Sequence, residues 1–272
     1  MIRVTSPAGR LQAALTGTGP IVVFQHGLCG DITQPQEVFP NDHGFAHAAL
    51  NCRGHGQSPA GDLNALTIAH FTDDLAQMID LLPHLPVAVG GISMGAAIAL
   101  RLAVTRPDLV QSLILSRPAW ITDNAPPNIQ ANALAGRMLA QGLAAFDVTQ
   151  TAQDLARTSP DNLASLRSFF SRPNPDVTAA LLTRISADGP GVTEADLAAL
   201  TIPTLVMGSA EDAVHPLGHA TTLTNLIPGA RFVELPPKGR DKAAHVAACQ
   251  SAILAFLNSL PPNQGQPDAP QT

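Results

Sequence analysis

The sequence has no tyrosine, a single tryptophan and only two lysines, Lys238 and Lys242. The missing tyrosine removes one common oxyanion donor and acid–base group. The three cysteines, Cys29, Cys52 and Cys249, are odd in number and show no paired spacing. That argues against a disulfide framework or a zinc site. Charged residues make up 13% and the net charge is −6, which argues against a nucleic-acid surface. No uninterrupted apolar run reaches the ~18 residues of a membrane span. The start, Met1 to Pro7, carries no apolar segment of a signal peptide, so a reducing cytoplasm is the expected compartment. No metal or organic cofactor is implied. A small molecule is the expected partner, and the oligomeric state is left open.

What is present is enough apolar residue, 45% of 272, for a sizeable core. Ile2–Val4 and Leu11–Leu15 read as a hairpin around Pro7-Ala8-Gly9. Ile21–Phe24 is a strand buried on both faces, and His47–Cys52 is another. Ile68, Phe71, Leu75, Met78, Ile79 and Leu82 recur at helical spacing up to Pro83. Alternating strands and helices predict an α/β fold with a mostly parallel sheet and helices on both faces. From Ala119 the strand rhythm stops. Residues 119–199 are helical in pattern and punctuated by prolines, so they read as an inserted cap. Residues 1–118 and 200–259 then form the core, and 260–272 read as a disordered tail.

The chemistry centres on Gly91-Ile92-Ser93-Met94-Gly95, placed between an apolar strand and an alanine-rich helix. Strand, sharp turn and helix with a serine at the apex make a nucleophile elbow. Side chains at positions 91 and 95 would collide with neighbouring backbone. A serine hydroxyl is a weak nucleophile that needs a histidine base, an orienting carboxylate and two amide donors for the oxyanion. Asp212, in the loop after strand Thr204–Met207, is the first carboxylate candidate, with Glu211 and Asp123 as alternatives. Of the later histidines, His215 and His219 stand too close to Asp212 for the usual chain order, which leaves His245. The Met94 amide and an amide of the His26-Gly27-Leu28 turn, that of Leu28, are the oxyanion donors.

Four blocks resemble the α/β-hydrolase family: HGLCG at 26–30, NCRGHGQS at 51–58, GISMG at 91–95 and EDAVHP at 211–216. The resemblance implies an eight-stranded, mostly parallel sheet with a helical cap after the sixth strand. It also implies a triad of Ser93, Asp212 and His245 with the Leu28 and Met94 amides as oxyanion hole. The chain departs from the family where His245 follows Ala244 rather than glycine, after a basic block with Lys238, Arg240 and Lys242. Arg53, Gly54, His55 and Gly56 read as a structural turn. Trp120, Met138, Phe146, Phe169 and Phe170 are the expected pocket lining for an apolar substrate. The expected activity is hydrolysis of a carboxylic ester or lactone through an acyl-enzyme. C–C bond hydrolysis, cofactor-free perhydrolysis and non-catalytic ligand binding are the alternatives.

Overall fold

The structure, a computed structural model, describes residues 3–40 and 44–261. The tail expected over 260–272 lies outside these residues from 262 onward. The chain opens with β1 (Val4–Ser6) and β2 (Gly9–Leu11), paired antiparallel with Val4 opposite Leu11. There follow β3 (Ala13–Thr16), β4 (Ile21–Gln25), α1 (Thr33–Val38), β5 (Ala46–Leu50), α2 (Ile68–Asp80), β6 (Val87–Ile92), α3 (Met94–Thr105) and β7 (Val110–Ser116). Next come the helices α4 (Gln130–Met138), α5 (Leu143–Asp147), α6 (Gln150–Thr158), α7 (Pro160–Ser168), α8 (Pro175–Ser186) and α9 (Glu194–Ala198). The chain then returns to the sheet with β8 (Thr204–Ser209), α10 (Leu217–Leu226), β9 (Arg231–Leu235) and α11 (Lys242–Asn258).

The main sheet has seven strands in the order β3-β5-β4-β6-β7-β8-β9, all parallel except β3. It is one strand short of the family expectation, because β1 and β2 stand apart as a separate hairpin. The break is at Gln12. Its amide donates to the Ser58 hydroxyl and its carbonyl accepts from Asn51, so the run Leu11–Leu15 splits into β2 and β3. The six apolar residues spaced from Ile68 to Leu82 are all buried, and Thr67 caps α2 by accepting from the His70 amide. Gly142, with φ of 88°, ends the 3-10 turn Leu139–Gln141 that follows α4 and opens α5.

Strand order places the chemistry. The chain leaves β4 toward β5 on one side and β6 on the other, so a crevice opens between the C-terminal ends of β4 and β6. Such a switch point is where open α/β sheets bind ligands. HGLCG follows β4 and Ser93 follows β6, so both lie at its rim. The neighbouring turn after β5 is anchored by Arg53. Its guanidinium donates to both oxygens of Asp74 on α2, at 2.6 and 2.8 Å, and both side chains are buried. Arg53→Ala leaves an uncompensated buried carboxylate and is expected to lower stability by about 3–5 kcal/mol. Chemical denaturation measures this, and a loss under 1 kcal/mol contradicts it.

Candidate active site

Ser93 holds φ 56° and ψ −111°, outside the regions where side-chain-bearing residues rest. Two close approaches keep it there. A Cβ on Gly91 would stand 2.5 Å from the Gly95 carbonyl carbon, and one on Gly95 would stand 2.4 Å from the Gln25 oxygen. The Ser93 amide donates to the Ser116 carbonyl on β7 at 3.0 Å. Among the described residues its hydroxyl makes no hydrogen bond. The Met94 amide opens α3 and has no partner within the helix.

The loop after β4 is held so that one amide is left over. Gly27 N–H donates to Gln34 Oε1 at 2.7 Å, and Gly30 N–H to the Gly27 carbonyl at 3.0 Å. Cys29 N–H donates to His55 Nε2 at 3.0 Å. Leu28 N–H makes no hydrogen bond among the described residues. Two buried histidines set this arrangement. His55 donates from Nδ1 to the Arg53 carbonyl at 3.0 Å, which leaves Nε2 free to accept from Cys29. His26 donates from Nδ1 to the Gly27 carbonyl and accepts the Cys52 amide at Nε2. Burial pushes the His26 ring down to about 4 and holds His55 well below the usual range, so both stay neutral as these bonds require. His55 therefore works as a positioning residue, in keeping with its structural reading. Burial pushes the Cys29 thiol up to about 12, so it is no thiolate nucleophile near neutral pH.

The carboxylate alternatives separate by direction. Glu211 faces outward and pairs with Arg240, and Asp123 is exposed. Asp212 faces inward, with its side chain 6% exposed. One oxygen accepts from Arg117 Nε and Nη2 at 2.9 and 2.5 Å. The other accepts from Asn162 Nδ2 at 3.0 Å and from the Val214 and His215 amides. Burial opposes ionisation, but His215 and Arg117 outweigh it and hold the carboxyl well below the usual range.

The expected pairing of Asp212 with His245 is not the one the structure contains. His245 lies one turn inside α11, because Asp241 caps that helix by accepting from Ala244 N–H at 2.9 Å. Its Nδ1 donates back to the Pro236 carbonyl at 2.8 Å, and its side chain is not among those lining the cavity beside Ser93. The residue on Asp212 is His215, whose Nδ1 lies 2.9 and 3.0 Å from the two carboxylate oxygens. Chain-order reasoning passed over it, although Asp-x-x-His in one loop at a strand's C-terminal end was a readable signal. Arg117 was missed altogether. It directly follows β7, takes φ 47°, and donates its amide to the Met207 carbonyl at 2.7 Å.

Ser93 and His215 line one cavity of about 240 Å³, with Leu28, Arg117, Asn132, Asn162, Ser165, Ser168, Phe169 and Lys238. The apolar lining expected of the cap is thus corrected. Only Phe169 of the five residues faces the cavity. Trp120 is buried and donates its indole N–H to the Asp188 carbonyl, while Phe146 packs on Phe170 at 5.3 Å and Met138 packs on the core. A second cavity, about 250 Å³, sits at the opposite end of the strands against Pro20, Val22 and Leu257, away from these groups. Among the described residues no cluster of three His, Cys, Asp or Glu could hold a metal ion, and no helix is long and apolar enough to cross a membrane.

The model of the family described as serine aminopeptidase, S33, matches residues 18–234. The pimeloyl-[acyl-carrier protein] methyl ester esterase of Chromobacterium violaceum is 31% identical over 241 residues, covering 81% of this chain and 87% of its own. The enol-lactonase of Burkholderia xenovorans LB400 superposes with a TM-score of 0.66 at 23% identity, over 92% of this chain and 97% of its own. A thermophilic esterase from Thermogutta terrifontis superposes at 0.68 and 24%, over 94% and 95%. These two likenesses show the shared fold.

His215 faces Asp212 from its own loop, Arg117 from the end of β7 and Lys238 from the loop after β9. Burial lowers its proton affinity, Asp212 raises it, and both cations lower it, with a net shift downward. Arg117→Gln removes one of the lowering charges, so the His215 ring should titrate at higher pH than in the unaltered protein. Histidine-ring NMR checks this, and an unchanged or lower midpoint contradicts the arrangement.

Proposed function

We propose, from the premise that this chain belongs to the serine aminopeptidase S33 family of α/β-hydrolase enzymes, that it cleaves a carboxylic ester or lactone with Ser93 as nucleophile. One observation carries the reading. The Ser93 hydroxyl stands on a strained turn beside two backbone amides, Leu28 and Met94, and among the described residues neither the hydroxyl nor the amides have a hydrogen-bond partner. Donors fixed in this way stabilise the charge of a tetrahedral intermediate without reorganising as it forms. Ser93 then forms the acyl-enzyme, and water releases the acid.

The named relatives, an esterase and a lactonase, point to an acyl–oxygen bond. The cavity size favours a small substrate. Its asparagines, serines and Lys238 favour one that carries hydrogen-bonding groups, in place of the apolar substrate expected from the aromatic residues. The non-catalytic ligand-binding reading draws on one observation, the engagement of His245 with Pro236. A buried acid–histidine pair on the nucleophile's own cavity weighs against it.

Ser93→Ala is expected to lower kcat on a p-nitrophenyl acyl ester by about 10⁴–10⁶, with a residue of catalysis left to the oxyanion donors. The same variant should lose labelling by a fluorophosphonate. Unchanged turnover and labelling in the variant would refute the reading.

A further inference from the structure

His215 is held from several directions. Its Nδ1 lies within 3.0 Å of both Asp212 oxygens. Arg117 Nη2 lies 3.1 Å from the same nitrogen, but it donates at the shorter distance of 2.5 Å to Asp212, and the two carboxylate oxygens are the nearer neighbours of Nδ1. An unprotonated Nδ1 would face a carboxylate with its lone pair, which is repulsive. The proton therefore sits on Nδ1 and is donated to Asp212, which leaves Nε2 as the basic nitrogen. The peptide around the ring is fixed by the cap. Asn128 Nδ2 donates to the Val214 carbonyl at 2.6 Å, and Asn162 Oδ1 accepts the Ala213 amide at 2.8 Å. The ring has its side chain 10% exposed, and it lines the cavity that also holds Ser93. Ser93 follows β6 and the Asp212 loop follows β8, two strand spacings apart, about 10 Å.

The loop after β9 supplies no such group. Arg240 is exposed on Glu211, Lys238 donates to Asp161 at 3.2 Å, and His245 is turned to Pro236.

We propose that His215 is the general base for Ser93, oriented by Asp212, so that acid and base come from one loop three residues apart. This rests on Ser93 being the nucleophile. As the Ser93 Oγ–acyl carbon bond forms, the hydroxyl proton passes to His215 Nε2 and the carbonyl π pair moves onto the oxygen facing Leu28 and Met94. Collapse breaks the bond to the leaving oxygen, which takes the proton from Nε2 and departs as an alcohol. Water then adds to the acyl carbon and gives a proton to Nε2. The second collapse returns that proton to Ser93 Oγ and frees the carboxylic acid.

The test compares His215→Asn with His245→Asn. In each, the asparagine amide replaces Nδ1–H as donor, to Asp212 or to Pro236, and Nε2 is lost. Hydrolysis of a p-nitrophenyl acyl ester, fluorophosphonate labelling and thermal melts are measured on both. His215→Asn should lose about 10⁴-fold in kcat or more and label correspondingly slowly, while His245→Asn stays within about threefold. His215→Ala, which opens a ring-sized space, should regain turnover when imidazole is added. A purely structural role for His215 would show no such rescue. The proposal is overturned if His215→Asn stays within about tenfold of the unaltered protein, if His215→Ala gains nothing from imidazole, or if His245→Asn carries the large loss. A failure of the Ser93 reading looks different: the unaltered protein takes no fluorophosphonate on Ser93.

Discussion

The carboxylate of Asp212 must stay ionised at a buried site, and much of the candidate site is arranged around that requirement. An isolated buried carboxylate would take up a proton. Here Arg117, Asn162, His215 and two backbone amides converge on its two oxygens. They come from the end of β7, from α7 and from the acid's own loop. One charge therefore ties the sheet edge, α7 and the histidine together. Removing a partner from such a cluster leaves a charge uncompensated, which is why buried ionic groups of this kind hold a single geometry.

The Ser93 half of the site is organised differently, by neutral histidines. His26 and His55 are too deeply buried to charge, and each joins two loops by donating from one nitrogen and accepting at the other. Their bonds occupy the amide of Cys29 and fix the turn, so that the Leu28 amide is left without a partner among the described residues. The stretch between α7 and α8 reaches this loop too, through Arg172 donating to the Cys29 carbonyl at 2.5 Å. The helical segment between β7 and β8 thus holds both the loop after β4 and the Asp212 loop.

The elbow was legible in the sequence because it depends on local sterics. Gly91 and Gly95 flank a serine between a strand and a helix, and only backbone close approach explains both. The parallel sheet was legible from its buried apolar runs, as was the face of α2 from its spacing. Other features depend on direction rather than pattern. In PPKGRDKAAH the helix start is local, since Asp241 is a capping residue ahead of Lys242, but nothing local says that His245, one turn in, meets the Pro236 carbonyl. The aromatic residues between β7 and β8 look alike in sequence, yet Phe146 and Phe170 pack on each other while Phe169 turns to the cavity. Arg117 carries no motif, and its role follows from β8 lying beside β7. The split of the first hairpin at Gln12 likewise depends on distant partners, Asn51 and Ser58.

The central claim is that Ser93 is served by His215 on Asp212, with the Leu28 and Met94 amides facing the oxyanion. A crystal structure of the protein after reaction with a fluorophosphonate tests it most directly, because the tetrahedral phosphorus adduct mimics the reacting centre. The account predicts phosphorus bonded to Ser93 Oγ and one phosphoryl oxygen within about 2.7–3.1 Å of both amides. It also predicts His215 Nε2 turned to the adduct and His245 still on the Pro236 carbonyl. An adduct met by His245, with His215 turned away, would contradict it.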